Sequence, residues 1–312
     1  MSVEVDRESR SNPIALPVSL GALVAAQTHD DGVHEDGAHD DALAPASNAA
    51  TFRDRALDAA RTWGSRTAAV LLGILMWHWA VKTHLDFYIR FANVPAPLAV
   101  GEALWRHLHE AKFYVHIIVS IERILAGYGL ASVIGIFLGL VMGRSRTARD
   151  LLTPYIELLR PIPAVAWIPL AILMWPTEES SIIYIAFLGA LFPIVLNTIH
   201  GVEQTPEILV RAAETLGAGR MQIFWHVVIP AALPSIAAGL SIGMGVTWFA
   251  ILAGEIISGE YGIGYFTWNA YSLINYPDIV VGMLMIGILG TLSAYAVRLL
   301  TWPFLAWQRR TR

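Results

Sequence analysis

Residues 211–230, RAAETLGAGRMQIFWHVVIP, decide how this chain is read. They form a polar, helix-forming segment between two long apolar runs. A chain that crosses a bilayer repeatedly keeps most connections short, so a long one with helical content is built for contact. Just upstream, Thr205 and Pro206 are predicted to open a helix. Thr205 serves as N-cap, Pro206 takes the first helical position, and Glu207 is favoured by the helix dipole. Ala212, Ala213, Leu216 and Gly217 then offer a small, apolar surface at helical spacing, which lets another protein approach closely. Gly217 is predicted to break the helix, a second segment follows, and Pro230 and Pro234 mark the return to the apolar run.

Working outward, composition points to a membrane. The chain has 312 residues, 55% of them hydrophobic and only 15% charged, with a mean hydropathy of +0.54. A spanning helix needs roughly 20 mainly apolar residues. Six segments are candidates: 66–83, about 118–143, about 158–176, 181–201, 233–257 and 279–302. The fold expected is therefore all-α and polytopic, with residues 61–312 as the transmembrane domain. Residues 98–117 look amphipathic, with Leu104, Leu108, Ala111 and Val115 at helical spacing leading into the second span. Residues 1–60 read as a disordered tail. Its stretch from His29 to Asp41 is acidic, histidine-containing and interrupted by glycine, so it cannot bury a core.

Several function classes fall away. A net charge of −4 argues against a nucleic-acid partner. With no cysteine, disulfides, thiolate metal sites and cysteine nucleophiles are excluded. His107, His109 and His116 fall on an amphipathic helix without an HExxH pattern, so no metal site is expected. The glycines of Gly259-Glu260-Tyr261-Gly262-Ile263-Gly264 follow no strand and are not a nucleotide fingerprint. No catalytic constellation is expected.

Loop charge sets the orientation. With both termini in the cytoplasm, the loops 144–153 and 202–232 and the C-terminus lie inside. They carry Arg144, Arg146, Arg149, Arg211, Arg220, Arg309, Arg310 and Arg312, while 177–180 and 258–278 contain no lysine or arginine. The first outside loop, with Lys82, Arg90, Arg106 and Lys112, is an exception.

Within the spans, Ala131, Gly135, Gly139 and Gly143 recur every fourth residue. That stripe serves close helix packing, within one subunit or between two; Gly239 and Gly243 do the same in the fifth span. The third span carries Pro161, Pro163 and Pro169 and should be kinked or broken. Glu157 and Arg160, three apart, are placed to pair on one helix face. Glu255 lies near the outer end of the fifth span, either lining a path or holding a buried hydrogen bond. Glu122 and Arg123 are expected to snorkel at the outer interface.

The 211–230 segment resembles the EAA loop of ATP-binding-cassette (ABC) importer permeases. That pattern is Glu-Ala-Ala, three residues, Gly, nine residues, Ile-x-Leu-Pro. Ala212, Ala213 and Gly217 match, Val227-Val228-Ile229-Pro230 closes the motif conservatively, and Arg211 replaces the usual glutamate. Leu159-Arg160-Pro161-Ile162-Pro163 and Ala166-Trp167-Ile168-Pro169-Leu170 resemble the same stretch in nitrate, sulfonate and taurine importer permeases. The likeness covers roughly residues 93–305.

The resemblance implies a type I ABC importer permease in a bacterial inner membrane, with a coupling loop at about 205–234. Separate ATPase subunits would use ATP and grip Arg211, Ala212, Ala213, Leu216, Gly217 and Pro230. A periplasmic or lipid-anchored solute-binding protein would deliver the cargo, and a second copy of the permease would complete a path lined by Glu255, Pro163 and Trp167. The chain itself would hold no cofactor. The cargo implied is a small anionic or zwitterionic nutrient. A different class, an ion-gradient-driven secondary transporter, would use Glu157, Arg160 and Glu255 as a proton or sodium relay. The sequence shows no inverted repeat in its favour.

Overall fold

The computed structural model describes residues 48–83 and 93–305. The His29–Asp41 stretch, Arg90, Arg309, Arg310 and Arg312 lie outside them. The chain divides into two units, residues 1–65 and 66–312. Of the first, the described part is the opening of helix α1 (Asn48–Lys82), so the boundary expected at residue 60 falls inside a helix.

Regular structure among the described residues is helical throughout. Four helices are long and apolar enough to cross a membrane: α3 (Ala111–Arg144), α6 (Glu178–Glu203), α9 (Ile229–Ser258) and α11 (Tyr276–Thr301). The fifth expected span is a bent pair: α4 (Arg146–Leu159) and the segment 164–174 meet at 87°. The remaining candidate, 66–83, is part of α1, which is not among the helices apolar enough to cross. Trp77, His78, Trp79 and a terminal lysine dilute its second half.

Proline and serine chemistry explains the break. Ser145 caps α4 by accepting from the Ala148 N–H at 3.3 Å. Pro161 and Pro163 then end the helix, because neither can continue the ladder. A 3-10 turn, Ala164–Trp167, leads into α5 (Ile168–Met174). Pro169, expected to interrupt a helix, instead sits in the first turn of α5, where its missing N–H costs nothing. Nor is 144–153 a loop, since only Ser145 separates α3 from α4. At the far side Thr177 and Ser180 form a capping box that starts α6.

Helix α6 lies between α3 and α9. Gly135, Gly139 and Gly143 of α3 face Ile194, Thr198 and Val202 of α6 in ascending order, so these two helices run parallel. A Cβ on Gly143 would stand 2.6 Å from the Val202 Cβ. The small-residue stripe is thus a seam inside the subunit, with Ala131 buried against Ala190 and Ile194. Gly239 and Gly243 of α9 pack on Asn197 and Ile194, which makes α9 antiparallel to α6. Helix α11 returns along α9, tied by the Trp248 indole N–H donating to Ser293 Oγ at 2.7 Å.

The 98–117 segment is two helices, not one. Helix α2 (Pro97–His107) ends before a turn, and α3 begins at Ala111. The break resets the register: Val100, Ala103, His107 and Phe113 face inward, while Leu108 and Val115 are exposed. His107 instead contacts Asp278 at 3.0 Å and Glu110 at 3.0 Å, and His116 accepts from the Gly262 N–H.

Candidate functional site

The connection between α6 and α9 folds as expected from its glycine. Helix α7 (Glu207–Thr215) closes in a Schellman arrangement: the Ala218 N–H donates to Ala213 O at 3.0 Å and the Gly217 N–H to Glu214 O at 2.9 Å. Gly217 supplies the left-handed φ of 80° this requires. A second short helix, α8 (Arg220–Ile223), then runs through a π-helical stretch, Phe224–Val228, into α9. That wider turn lets one continuous helix take in Pro230, whose ring would otherwise press on the preceding turn.

The opening of α7 differs from expectation. Pro206, not Thr205, is the residue at the cap, and it provides no side-chain bond. The Thr205 hydroxyl is buried, with no hydrogen-bond partner among the described residues.

Helix α7 has two faces. Val210, Ala213 and Ala218 pack inward on Val202, Ile223, Val228, Ala232 and Ile236. Ala212 lies on the outer face with Ile208, and Leu216 is 88% exposed. Met221 and Trp225 of the following segment are likewise exposed; these two and Ile208 were not singled out from the sequence, although apolar residues spaced by four in a polar loop are a readable signal. Ala213 faces the subunit's own core. Arg211 pairs with Glu207 one turn back at 2.6 Å, both well exposed, in the orientation that favours a helix. The base of the connection is clamped by Arg149, which pairs with Glu203 at 2.5 Å and donates to the last carbonyls of α3.

Where the third span bends, a cavity of about 360 Å³ opens between the α4–α5 corner, α6 and α9. Pro163 and Trp167 line it, as does Arg160. Glu157 is exposed and forms no ion pair with Arg160, because Arg160 falls where the helix stops and its chain turns to the cavity.

Glu255 is elsewhere, 1% exposed, at the opposite end of α9 from the α7–α8 connection. Its carboxylate accepts from Ser120 Oγ at 2.7 Å, Arg123 Nη1 at 3.1 Å and the Gly264 N–H at 2.8 Å. Arg123 does not snorkel. It is 3% exposed, also holds both Glu179 carboxylate oxygens, and donates to Tyr261 O at 2.7 Å. The signal for this lay in spacing: His116, Ser120 and Arg123 share the face of α3 that carries Gly127 and Ala131. Of the two readings of Glu255, these contacts are those of a buried hydrogen-bonded anchor. Together with Arg123 it ties α3, α6 and α9 to the turn before α10 (Ile263–Ser272) and to the first turn of that helix. Glu157, Arg160 and Glu255 are not brought together, so no relay forms from them.

Residues 131–301, more than half of the chain, match the family described as binding-protein-dependent transport system inner membrane component. The nitrate import permease protein of a Synechocystis species is 33% identical over 233 residues, 72% of this chain and 83% of that one. The taurine transport system permease protein of Escherichia coli is 33% identical over 246 residues, 77% of this chain and 88% of that one. The bicarbonate transport system permease protein of Synechococcus elongatus is 37% identical over 194 residues, 62% and 67% of the two chains.

Proposed function

Because the chain belongs to the family of binding-protein-dependent transport system inner membrane components, we propose that it is the permease subunit of an ABC importer for a small anionic or zwitterionic nutrient of the nitrate, bicarbonate or sulfonate kind. It couples to separate ATPase subunits and makes no bond itself. The observation that carries this reading is the α7–α8 connection, which presents an exposed apolar face of Ile208, Ala212, Leu216 and Met221 on a base bolted to α3 and α6. Such a face on a polar connection fits a protein partner.

The mechanism follows from continuity. Helix α8 runs without a loop into α9, and α9 supplies Ile242 and Val246 to the cavity wall. Two ATPase subunits that close on ATP draw two such connections together, and the movement reaches the path through α9. ATP biases the change only as far as it binds the closed ATPase pair more tightly than the open one. A second copy of the chain faces the open side of the cavity, and a solute-binding protein delivers cargo at the end that holds Glu255. The α7–α8 end, with Arg144, Arg146, Arg149 and Arg220, lies in the cytoplasm, together with the end of α11.

The test is Leu216→Glu. With its side chain 88% exposed, this change leaves the subunit's folding intact and is expected to abolish both co-purification of the ATPase subunits and ATP-driven uptake. Wild-type assembly in that variant would refute the coupling assignment.

A further inference from the structure

Resting on the permease reading above, we propose that Arg160 is an anion-pairing residue of the path. It holds one oxoanion group of the cargo in the cavity at the α4–α5 corner.

Three observations carry this. First, Arg160 is the sole ionisable side chain among the described residues lining the cavity, whose walls include Trp167, Phe192, Ile242 and Val246. Second, its guanidinium is held by no carboxylate among the described residues, a state it shares with Arg144, Arg146, Arg220 and Arg298, so it is available to an anion. A position at the end of α4 suits a positive charge, but that accounts for the charge and not for its opening onto a cavity. Third, the cavity volume of about 360 Å³ lies within the range for small-molecule sites.

The chemistry selects the ligand class. A guanidinium presents parallel N–H donors in a rigid fork that matches two oxygens of a planar or tetrahedral oxoanion. Nitrate, bicarbonate and the sulfonate of taurine all present such a pair. Asn197 adds an amide whose Nδ2 already donates to Pro193 O at 2.8 Å, leaving a second N–H. No carboxylate lines the cavity among the described residues, so the site discriminates against cations.

The chain has no cysteine, so Arg160→Cys introduces a unique thiol. The importer is reconstituted in proteoliposomes with its ATPase subunits and binding protein, using partners freed of thiols. Labelled nitrate, bicarbonate and taurine serve as probes. Loss of a charge-assisted contact predicts about a tenfold or greater fall in uptake for Arg160→Cys, with ATP hydrolysis retained. Aminoethyl methanethiosulfonate, which restores a cation, should recover uptake; the sulfonatoethyl reagent should not. The transported anion should also slow modification of the thiol. Arg160→Lys should keep more uptake than Arg160→Gln. Wild-type uptake in Arg160→Cys overturns the proposal, and so does equal rescue by both reagents. Loss of uptake together with ATP hydrolysis, unrelieved by the cationic reagent, overturns it in favour of a structural role. If the unmodified importer takes up none of the probes with ATP, the permease reading for this cargo class fails and the site falls with it; ATP-driven uptake indifferent to charge at 160 sinks the site alone.

Discussion

Replacing Gly262 with alanine tests the polar anchor at two levels. Gly262 holds φ 120° and ψ 163°, a backbone region that costs a residue with a Cβ about 1–3 kcal/mol. The added Cβ would fall on the Glu255 carboxyl group, which then has to retreat from at least one of its donors on Ser120, Arg123 and Gly264. A buried hydrogen bond to a charged group is worth about 1.5–3 kcal/mol. The two costs together come to about 2.5–6 kcal/mol. Gly129→Ala is the control: no atom lies within 4 Å of its Cβ position, and alanine in a helix interior is favoured by about 0.5–1 kcal/mol. Equilibrium unfolding of the purified full-length chain in an SDS titration, followed by far-ultraviolet circular dichroism, measures both. A Gly262→Ala penalty within about 1 kcal/mol of the control would refute the anchor. Adding Glu255→Ala to Gly262→Ala removes the collision, so the double variant should lose less than the sum of the two single changes. Strict additivity would mean that the two groups do not meet.

Two further predictions follow from the packing. Gly139→Ala should cost about 1–3 kcal/mol in the same titration, because the new Cβ meets Thr198 and the Val195 carbonyl at 2.9 Å; a neutral result would unseat the α3–α6 seam. Arg211→Glu exchanges the Glu207 pair for two like charges one turn apart, yet both side chains are more than three-quarters exposed. It should therefore cost under about 1 kcal/mol and shift ATPase-subunit affinity less than about fivefold; a larger loss by pull-down titration would place Arg211 at the partner contact.

The two ends of the coupling connection show how unevenly sequence reveals structure. Gly217 was readable because a helix that must close in a left-handed turn leaves almost no choice of residue. Thr205 misled because capping depends on which of two adjacent residues the chain presents to the first turn, and Pro206 takes that place. Arg160 shows the same limit at the cavity. Spacing paired it with Glu157, whereas the helix end supplied by Pro161 and Pro163 separates them and turns the arginine to a wall built from α6 and α9.

By itself the sequence determined five of the six apolar runs it proposed, one of them a bent pair, together with the break in that third span, the close-packing stripe and the turn at Gly217. Each of these is encoded within a few helical turns, by hydrophobic length, missing N–H groups or missing side chains. Only the tertiary structure decided that the stripe meets α6, that Ala213 faces inward while Leu216 faces out, and that Arg123 is buried. The reason is the distance along the chain. Arg123 and Glu255 are 132 residues apart, and neither residue's local pattern names the other. A charge that would be expelled from an apolar helix on its own is retained because folding delivers its counter-charge.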